Sequence, residues 1–251
     1  MIRLRSAARV CAAMAIALLA GLSIGSSAAR AGPYYLLDLE GSEIALPYLY
    51  EGTKRFHLRL EGATSAARAY DPRRGSNVLV LSSGPTPRGQ TKDRAEVQLY
   101  GNLTYGREWF VGLSVMIPRD VPVPEDWQVL LQCHQNGTST SPPVSLDLEP
   151  DGRLALIARN DADTFETLWS VPMPRGRWVQ IELGLDMGPQ GRVQLWVDGR
   201  RRADIRRALG WAAGQRACAV KSGIYRGASR RPFTVYLDDI MLGDTRADVL
   251  P

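Results

Sequence analysis

Residues 177–200, "RWVQIELGLDMGPQGRVQLWVDGR", contain two runs in which apolar and polar side chains alternate. A period of two is typical of β-strands that bury one face. The apolar positions are Val179, Ile181, Leu183 and Leu185 in the first run, and Val193, Leu195 and Val197 in the second. The second run ends at Asp198-Gly199, a pair that favours the tight turn of a β-hairpin. The stretch therefore predicts antiparallel strands and an all-β fold.

Strand patterns of the same kind recur along the chain. We predict further strands at "RAEVQLY", "REWFVGLSVMIP", "WQVLLQCHQ", "VSLDLEP", "RLALIAR", "ACAVKSGIYRG" and "FTVYLDDIML". About a dozen strands at this spacing favour a two-sheet sandwich of the β-jelly-roll kind. One sheet of such a sandwich is often concave, and a concave groove suits a long polymer chain.

The first 31 residues have the features of a secretory signal peptide. Three arginines precede the apolar run "VCAAMAIALLAGLSIG", and "ARA" at 29–31 gives a small-x-small cleavage pattern. A retained membrane anchor is the alternative, but a spanning helix needs about 20 apolar residues and this run is shorter. We expect cleavage after residue 31, one domain over residues 32–251, and a secreted or periplasmic protein without membrane association.

Removal of residues 1–31 also removes most of the net positive charge. Four arginines leave with that segment, so 27 basic residues face 26 acidic residues in the remainder. Global basicity therefore gives no support to nucleic-acid binding. Two local basic clusters remain, "GRRRADIRR" from Gly199 and "YRGASRR" from Tyr225, each of which is an anion-binding surface or solvated surface charge.

The cysteines and histidines exclude several classes of site. Cys133 and Cys218 remain after signal removal, and they either form a disulfide or stay buried as free thiols. No metal site is predicted, because the histidines and cysteines lack ligand spacing. Neither a phosphate-binding loop nor a serine-nucleophile turn is present. His57, in "RFHLRL", is interpreted as a structural or groove-lining residue.

Three segments place polar side chains at i, i+2 spacing, as one concave sheet face would require. They are "RAEV" with Arg94 and Glu96, "QCH" with Gln132 and His134, and "KSGIYR" with Lys221, Gly223 and Tyr225. Each motif alone is weak, whereas three of them in order on predicted strands form a much more specific signal.

This set resembles the jelly-roll polysaccharide lyases, whose fold is concanavalin-like. The alginate lyases of that fold carry an R-x-E strand, a Q-x-H strand and a K-x-G-x-Y strand in this order. The surrounding sequence is more similar to the heparin lyase I and glucuronan lyase type, and the resemblance spans roughly residues 75 to 242. Two positions depart from the pattern: Cys133 stands where aliphatic residues are usual, and Arg226 where alginate lyases tend to have Asn.

The resemblance implies a β-elimination at a uronic acid. The enzyme removes the proton at C5, next to the sugar carboxylate, and expels the oxygen at C4. Positive and amide donors must stabilise the charge that develops, a task for Arg94 and Gln132. Tyr225 is implied to be the acid, and also the base when C5–H and O4 lie on one side of the ring. His134 is either the base in the opposite geometry or a group that neutralises the carboxylate.

The predicted catalytic residues are therefore Tyr225, His134, Arg94 and Gln132, and the predicted substrate-binding residues are Lys221, Glu96 and Arg226. The expected partner is an anionic, uronate-containing polysaccharide, with no nucleic acid or membrane partner, and we expect a monomer. No cofactor is required. Similar enzymes often carry a structural calcium ion, for which the sequence offers no ligand set.

Two alternatives use the same fold. A non-catalytic carbohydrate-binding sandwich would keep the groove and Arg94 without needing Tyr225 beside His134. A laminarinase-like glucanase needs two carboxylates on one strand face. "VSLDLEP" supplies Asp147 and Glu149, but Ser145 occupies the first acidic position of the E-x-D-x-E pattern, so an essential carboxylate is missing.

Overall fold

Two antiparallel sheets enclose a core of aliphatic side chains. The computed structural model describes residues 35–51, 54–99, 103–135, 141–159, 165–210 and 217–251. The predicted signal peptide, residues 1–31, lies outside these ranges. Within them, no helix has the length and apolar character needed to cross a membrane.

One sheet carries the predicted site and is named the groove sheet. Numbered in chain order, its strands are β2 (Glu43–Ala45), β3 (Tyr48–Glu51), β4 (Lys54–Glu61), β7 (Lys92–Gln98), β8 (Leu103–Thr104), β10 (Gln128–Gln135), β11 (Val144–Leu148), β12 (Arg153–Arg159), β13 (Phe165–Pro172) and β17 (Ala217–Gly227). Their spatial order is β13-β12-β11-β10-β17-β7-β4-β3-β2, with β8 also paired to β17.

The second sheet, named the back sheet, covers the other side of the core. Its strands are β1 (Tyr35–Leu37), β5 (Thr64–Asp71), β6 (Ser76–Ser83), β9 (Glu108–Met116), β14 (Val179–Asp186), β15 (Arg192–Val197), β16 (Arg200–Arg206) and β18 (Phe233–Gly243). The order is β16-β15-β14-β9-β18-β6-β5, with β1 paired to β18. A short 3-10 helix, Arg246–Val249, follows β18.

The structure confirms the all-β jelly-roll prediction. All nine quoted strand segments form strands, and the alternating apolar positions of β14 and β15 are buried in the core. Asp198 and Gly199 have φ values of 51° and 70°, as expected for the turn that joins β15 to β16. The described strands number more than the dozen predicted, because β1–β6, β8, β13 and β16 were not assigned from the sequence.

A disulfide bond joins Cys133 of β10 to Cys218 of β17, with the two Cα atoms 5.4 Å apart. Both side chains are buried on the core side of the groove sheet. Of the two alternatives left open by the sequence, the structure therefore contains the disulfide rather than two free thiols. The bond ties together the two neighbouring strands that carry most of the predicted site residues.

Candidate active site

Three adjacent strands bring the predicted motifs side by side. In the β17–β7 pairing, Tyr225 lies opposite Arg94 and Gly223 opposite Glu96. On the other side of β17, Lys221 lies opposite Gln132. Four of the predicted residues line one open cavity of about 790 Å³: Arg94, His134, Lys221 and Tyr225. This volume is within the range of ordinary ligand pockets.

A β-bulge separates the two ends of this cluster. Between Val129 and Leu131 the β10–β17 register shifts, so that Gly223 and Ile224 together oppose a single β10 residue. Gly223 has a φ of 142°, and a Cβ there would overlap the carbonyl oxygen of Ala95. The glycine of the K-x-G-x-Y motif is thus required by the backbone, and bulges of this kind are common beside active sites.

Glu96 forms the floor of the cluster and does not line the groove. It is 1% exposed, accepts a hydrogen bond from the Gln132 side-chain amide, and lies 3.4 Å from Nε of Arg94. Burial raises the pKa of the Glu96 carboxyl, and Arg94 and Gln132 offset part of that rise. Burial likewise lowers the pKa of Lys221.

Gln132 shares this position with Glu96, and the predicted roles of the two residues stay predictions. Gln132 is also only 1% exposed and lies in the same covered layer as Glu96. Glu96 contacts Arg94 directly, whereas Gln132 contacts Glu96 and reaches Arg94 only through it.

Tyr225 is held by contacts on its face and at its edge. The guanidinium of Arg94 lies over the ring at 4.0 Å from the centroid, and the Lys92 ammonium lies at 5.7 Å. Trp127 packs against the ring in a T-shaped arrangement, with centroids 5.0 Å apart and an interplanar angle of 73°. These contacts define the orientation of the phenol while it still lines the cavity.

His134 lies at the other end of the cluster. Its Nδ1 is 2.9 Å from the carbonyl oxygen of Gln135. A carbonyl can only accept, so Nδ1 carries a hydrogen, and in the neutral ring Nε2 then carries the lone pair. Tyr225 pairs with Val129, five residues from His134 along β10. At about 3.3 Å per residue, roughly 16 Å separate the two backbones, which leaves room for a sugar between the side chains.

Arg226 is not among the residues that line the cavity, and its predicted role in substrate binding stays a prediction. It follows Tyr225 directly and therefore points to the opposite face of β17. Its side chain is 3% exposed and contacts Asp93, Ser83 and the carbonyl oxygen of Gly84. All these partners lie away from the cavity, so Arg226 anchors the strand end to the back sheet.

Several cavity residues were not predicted. Two of them, Arg59 and Lys92, share strand faces with His57 and Arg94 at i, i+2 spacing, and that spacing is a signal that could have found them. His57 itself pairs with Gln98 of β7 and packs its ring against Tyr48. The half of the groove over β11–β13 is lined by Asp147, Glu149, Ile157, Arg159 and Phe165.

Metal binding receives no support from the described ranges. No group of three or more His, Cys, Asp or Glu side chains among them is arranged to hold a metal ion. A structural calcium ion, which the resemblance allows, therefore stays an expectation.

Comparison with known proteins identifies one family by sequence. A family model described as polysaccharide lyase matches residues 52–241. No curated protein matches the chain in a sequence comparison.

Solved structures with the same fold include several lyases. The chain superposes on the endo-β-1,4-glucuronan lyase of the fungus Trichoderma reesei with a TM-score of 0.68 and 16% identity, covering 86% of this chain and 98% of that one. The family 7 alginate lyase A1-II′ in complex with product gives 0.54 and 16%, covering 76% and 95%. The family 7 alginate lyase AlgAT5 gives 0.51 and 13%, covering 78% and 85%. At these identities the likeness shows the fold.

Proposed function

The chain belongs to the polysaccharide lyase family, and from this premise we propose that it cleaves a uronate-containing anionic polysaccharide by β-elimination, leaving an unsaturated uronate end. One observation carries the proposal: Arg94, Lys221, His134 and Tyr225 line a single cavity. This set combines permanent or strong cations with two groups that exchange protons. A uronate requires both, because its carboxylate must be neutralised before the C5 proton can leave.

Arg94 is the group that we assign to the substrate carboxylate. Its guanidinium is permanently charged and offers paired donors in a fixed geometry. Glu96 and Gln132 lie beneath it and keep the side chain in place. Lys221 lies on the same cavity wall and adds a second positive charge. When the C5 proton leaves, these donors stabilise the enolate-like charge, and each such donor is typically worth about 3 kcal/mol.

Tyr225 and His134 are the groups that we assign to proton transfer. When C5–H and O4 lie on one side of the ring, the Tyr225 oxygen takes the C5 proton as a phenolate and then passes that proton to the departing O4. When they lie on opposite sides, the Tyr225 hydroxyl donates its own proton to O4. In this second geometry, Nε2 of His134 takes the C5 proton, for which its tautomer is suited. The A1-II′ alginate lyase has been solved with product as a Tyr-to-Phe variant, and with substrate as a variant that also carries a His-to-Asn change.

The products formed from defined polymers test the proposal. We expect purified protein to release unsaturated uronate ends, detected by their ultraviolet absorbance, from at least one of glucuronan, alginate and a heparin-type polymer. Binding without new absorbance would identify a carbohydrate-binding module instead. New reducing ends without that absorbance would identify a hydrolase.

We also propose that the protein is exported, since residues 1–31 have signal features and the Cys133–Cys218 disulfide suits an oxidising compartment. Export predicts that the N-terminus of the purified native protein begins near Gly32. A mature protein that retains residue 1 would show that the segment is not cleaved, as in the membrane-anchor alternative.

A further inference from the structure

We propose that Asp147 is a specificity-determining residue that accepts a hydrogen bond from a free sugar hydroxyl and disfavours a sulfate group at the same place. This inference rests on the proposed function and adds to it a preference for unsulfated over sulfated uronate polymers. It comes from the half of the groove over β11–β13, to which the lyase motifs assign no role.

Asp147 lies close to the proposed reaction centre. It pairs with Val129 across β10–β11, and Val129 pairs with Tyr225 across β10–β17. Neighbouring strands are about 4.8 Å apart, so the backbones of Asp147 and Tyr225 are separated by roughly 10 Å. Both residues line the same cavity. A polymer held at Tyr225 therefore extends over Asp147.

The carboxyl group of Asp147 lacks a complete set of hydrogen-bond partners. The residue is 7% exposed, and its Oδ1 has no hydrogen-bond partner among the described residues. Its other oxygen lies 3.4 Å from Nη2 of Arg159, and the side chain of Ser145 also hydrogen-bonds the carboxyl group. An acceptor buried in this way is costly unless a partner is supplied, and a sugar hydroxyl entering the groove is a donor of the right kind.

Arg159 is not positioned to receive an anion in place of that hydroxyl. Its Nη1 donates to Ser145 Oγ at 2.9 Å and to the carbonyl oxygen of Pro142 at 3.2 Å. Its second terminal nitrogen faces Asp147. The guanidinium is thus engaged with the groove wall, and its charge is offset by the adjacent carboxylate.

The two halves of the cavity differ in charge. The half around Tyr225 presents the cations Arg59, Lys92, Arg94 and Lys221 and one carboxylate, that of Asp126. Among the described residues that line the half over β11–β13, the carboxylates are Asp147 and Glu149 and the single cation is Arg159. A sulfate group bound there would place its negative charge next to these carboxylates, where little water is present to screen the repulsion. This repulsion would disfavour sulfated polymers.

Matched polymers that differ only in sulfation test the assignment. The probes are glucuronan and chemically O-sulfated glucuronan of the same length, with kcat/KM measured from unsaturated ends. We expect the wild type to cleave the unsulfated polymer at least about tenfold faster. Asp147→Asn keeps the size of the side chain and removes its negative charge. The ratio of kcat/KM on the unsulfated polymer to kcat/KM on the sulfated polymer should therefore decrease about tenfold. Asp151→Asn, at an exposed turn residue outside the cavity, is the control and should leave the ratio unchanged.

The outcomes separate this inference from the proposed function. Equal wild-type rates on the two polymers, or an unchanged ratio in a folded Asp147→Asn variant, would overturn the role of Asp147 while leaving the lyase intact. If Asp147→Asn does not fold, Asp147→Ser and the wild-type ratio still decide the matter. Absence of unsaturated ends from every uronate polymer would overturn the proposed function and this inference with it.

Discussion

The guanidinium carbon of Arg94 lies 4.0 Å from the centroid of the Tyr225 ring, so the residue assigned to the substrate carboxylate also packs on the residue assigned to proton transfer. Cation–π contacts of this kind restrict both partners. The phenol is oriented by its ring, through Arg94 and Trp127, and its hydroxyl is not needed for those contacts. Orientation and chemistry at Tyr225 can therefore be separated by experiment.

Tyr225→Phe should abolish turnover and preserve binding. The ring keeps its contacts with Arg94 and Trp127, while the proton donor is lost, so we expect kcat to fall by about 10²- to 10⁴-fold. Polymer affinity, measured by calorimetry, should stay within about twofold of the wild type. Tyr70→Phe, on β5 of the back sheet, is the control. Near-wild-type rates for Tyr225→Phe would show that another group is the acid.

His134→Ala should also lower kcat by about 10²-fold or more, because the ring is assigned to proton removal or to neutralisation of the carboxylate. The unfolding temperature should change little, since His134 is half-buried at the groove surface. A decrease of only a few fold would assign His134 to positioning instead.

Gly223→Ala should destabilise the protein more than Gly75→Ala. Both glycines have positive φ, but a Cβ at Gly75 meets nothing within 4 Å, whereas at Gly223 it overlaps a backbone oxygen. Backbone strain alone costs about 1–2 kcal/mol, and the overlap should add about 1–3 kcal/mol. Urea unfolding of both variants measures the difference. Equal losses would show that β17 shifts to accept the methyl group.

Glu96→Gln should change the pH dependence of stability. The pKa of Glu96 is raised by burial above its ordinary value of 4.5. The folded state therefore binds this proton more tightly than the unfolded chain, and the stability so contributed is present at low pH and lost as the pH rises above 4.5 through the folded-state pKa. The Glu96→Gln variant should not lose stability in this way, because glutamine does not titrate.

Urea unfolding of wild type and Glu96→Gln at about pH 4.5 and about pH 7.5 provides the measurement. The free energy of unfolding of the wild type should fall relative to that of the variant between the two pH values. Parallel behaviour of the two proteins would mean that Arg94 and Lys221 fully compensate the buried carboxylate.

Replacement of both Cys133 and Cys218 by Ser should lower stability without removing activity. The disulfide spans 85 positions of sequence, and the chain-entropy relation gives about 4–5 kcal/mol for a loop of that length. For a domain of this size, we expect the unfolding temperature to fall by about 10–15 °C. The sulfur atoms face the core, so the rate per folded molecule at low temperature should be close to that of the wild type.

Most central strands were predictable from the sequence, whereas the inner strands β4 and β6 and several edge strands were not. In β7, Ala95 and Val97 are buried in the core while Arg94 and Glu96 face the other side, so the alternation is visible. Strands such as β5 and β16 lie at sheet edges and expose most of their residues. Because neither face of these strands is well buried, their apolar and polar residues do not alternate clearly. The segment "GRRRADIRR", which contains β16, is therefore recognisable from the sequence only as a basic cluster.

Sequence spacing predicts on which face of a strand a side chain lies, but it does not predict how deeply the side chain is buried. The i, i+2 pairs correctly placed the side chains of Lys221 and Tyr225 on one face. The same rule places Arg226 on the other face, where the structure has it in contact with Ser83 of the back sheet. Sequence spacing cannot tell that Glu96 lies beneath Arg94, nor that Asp147 pairs with Val129 next to a register shift between β10 and β11, because both depend on how neighbouring strands pack together.

The disulfide between Cys133 and Cys218 should affect the rate of folding as well as the stability of the folded protein. β10 and β17 are neighbours in the sheet but distant along the chain, so their pairing closes a long loop and is among the slow, non-local steps of folding. In a denatured chain that keeps the disulfide, these two segments are already tethered to each other. Refolding from the oxidised form should therefore restore the alignment of Gln132 with Lys221, and with it the active site, sooner than refolding from the reduced form.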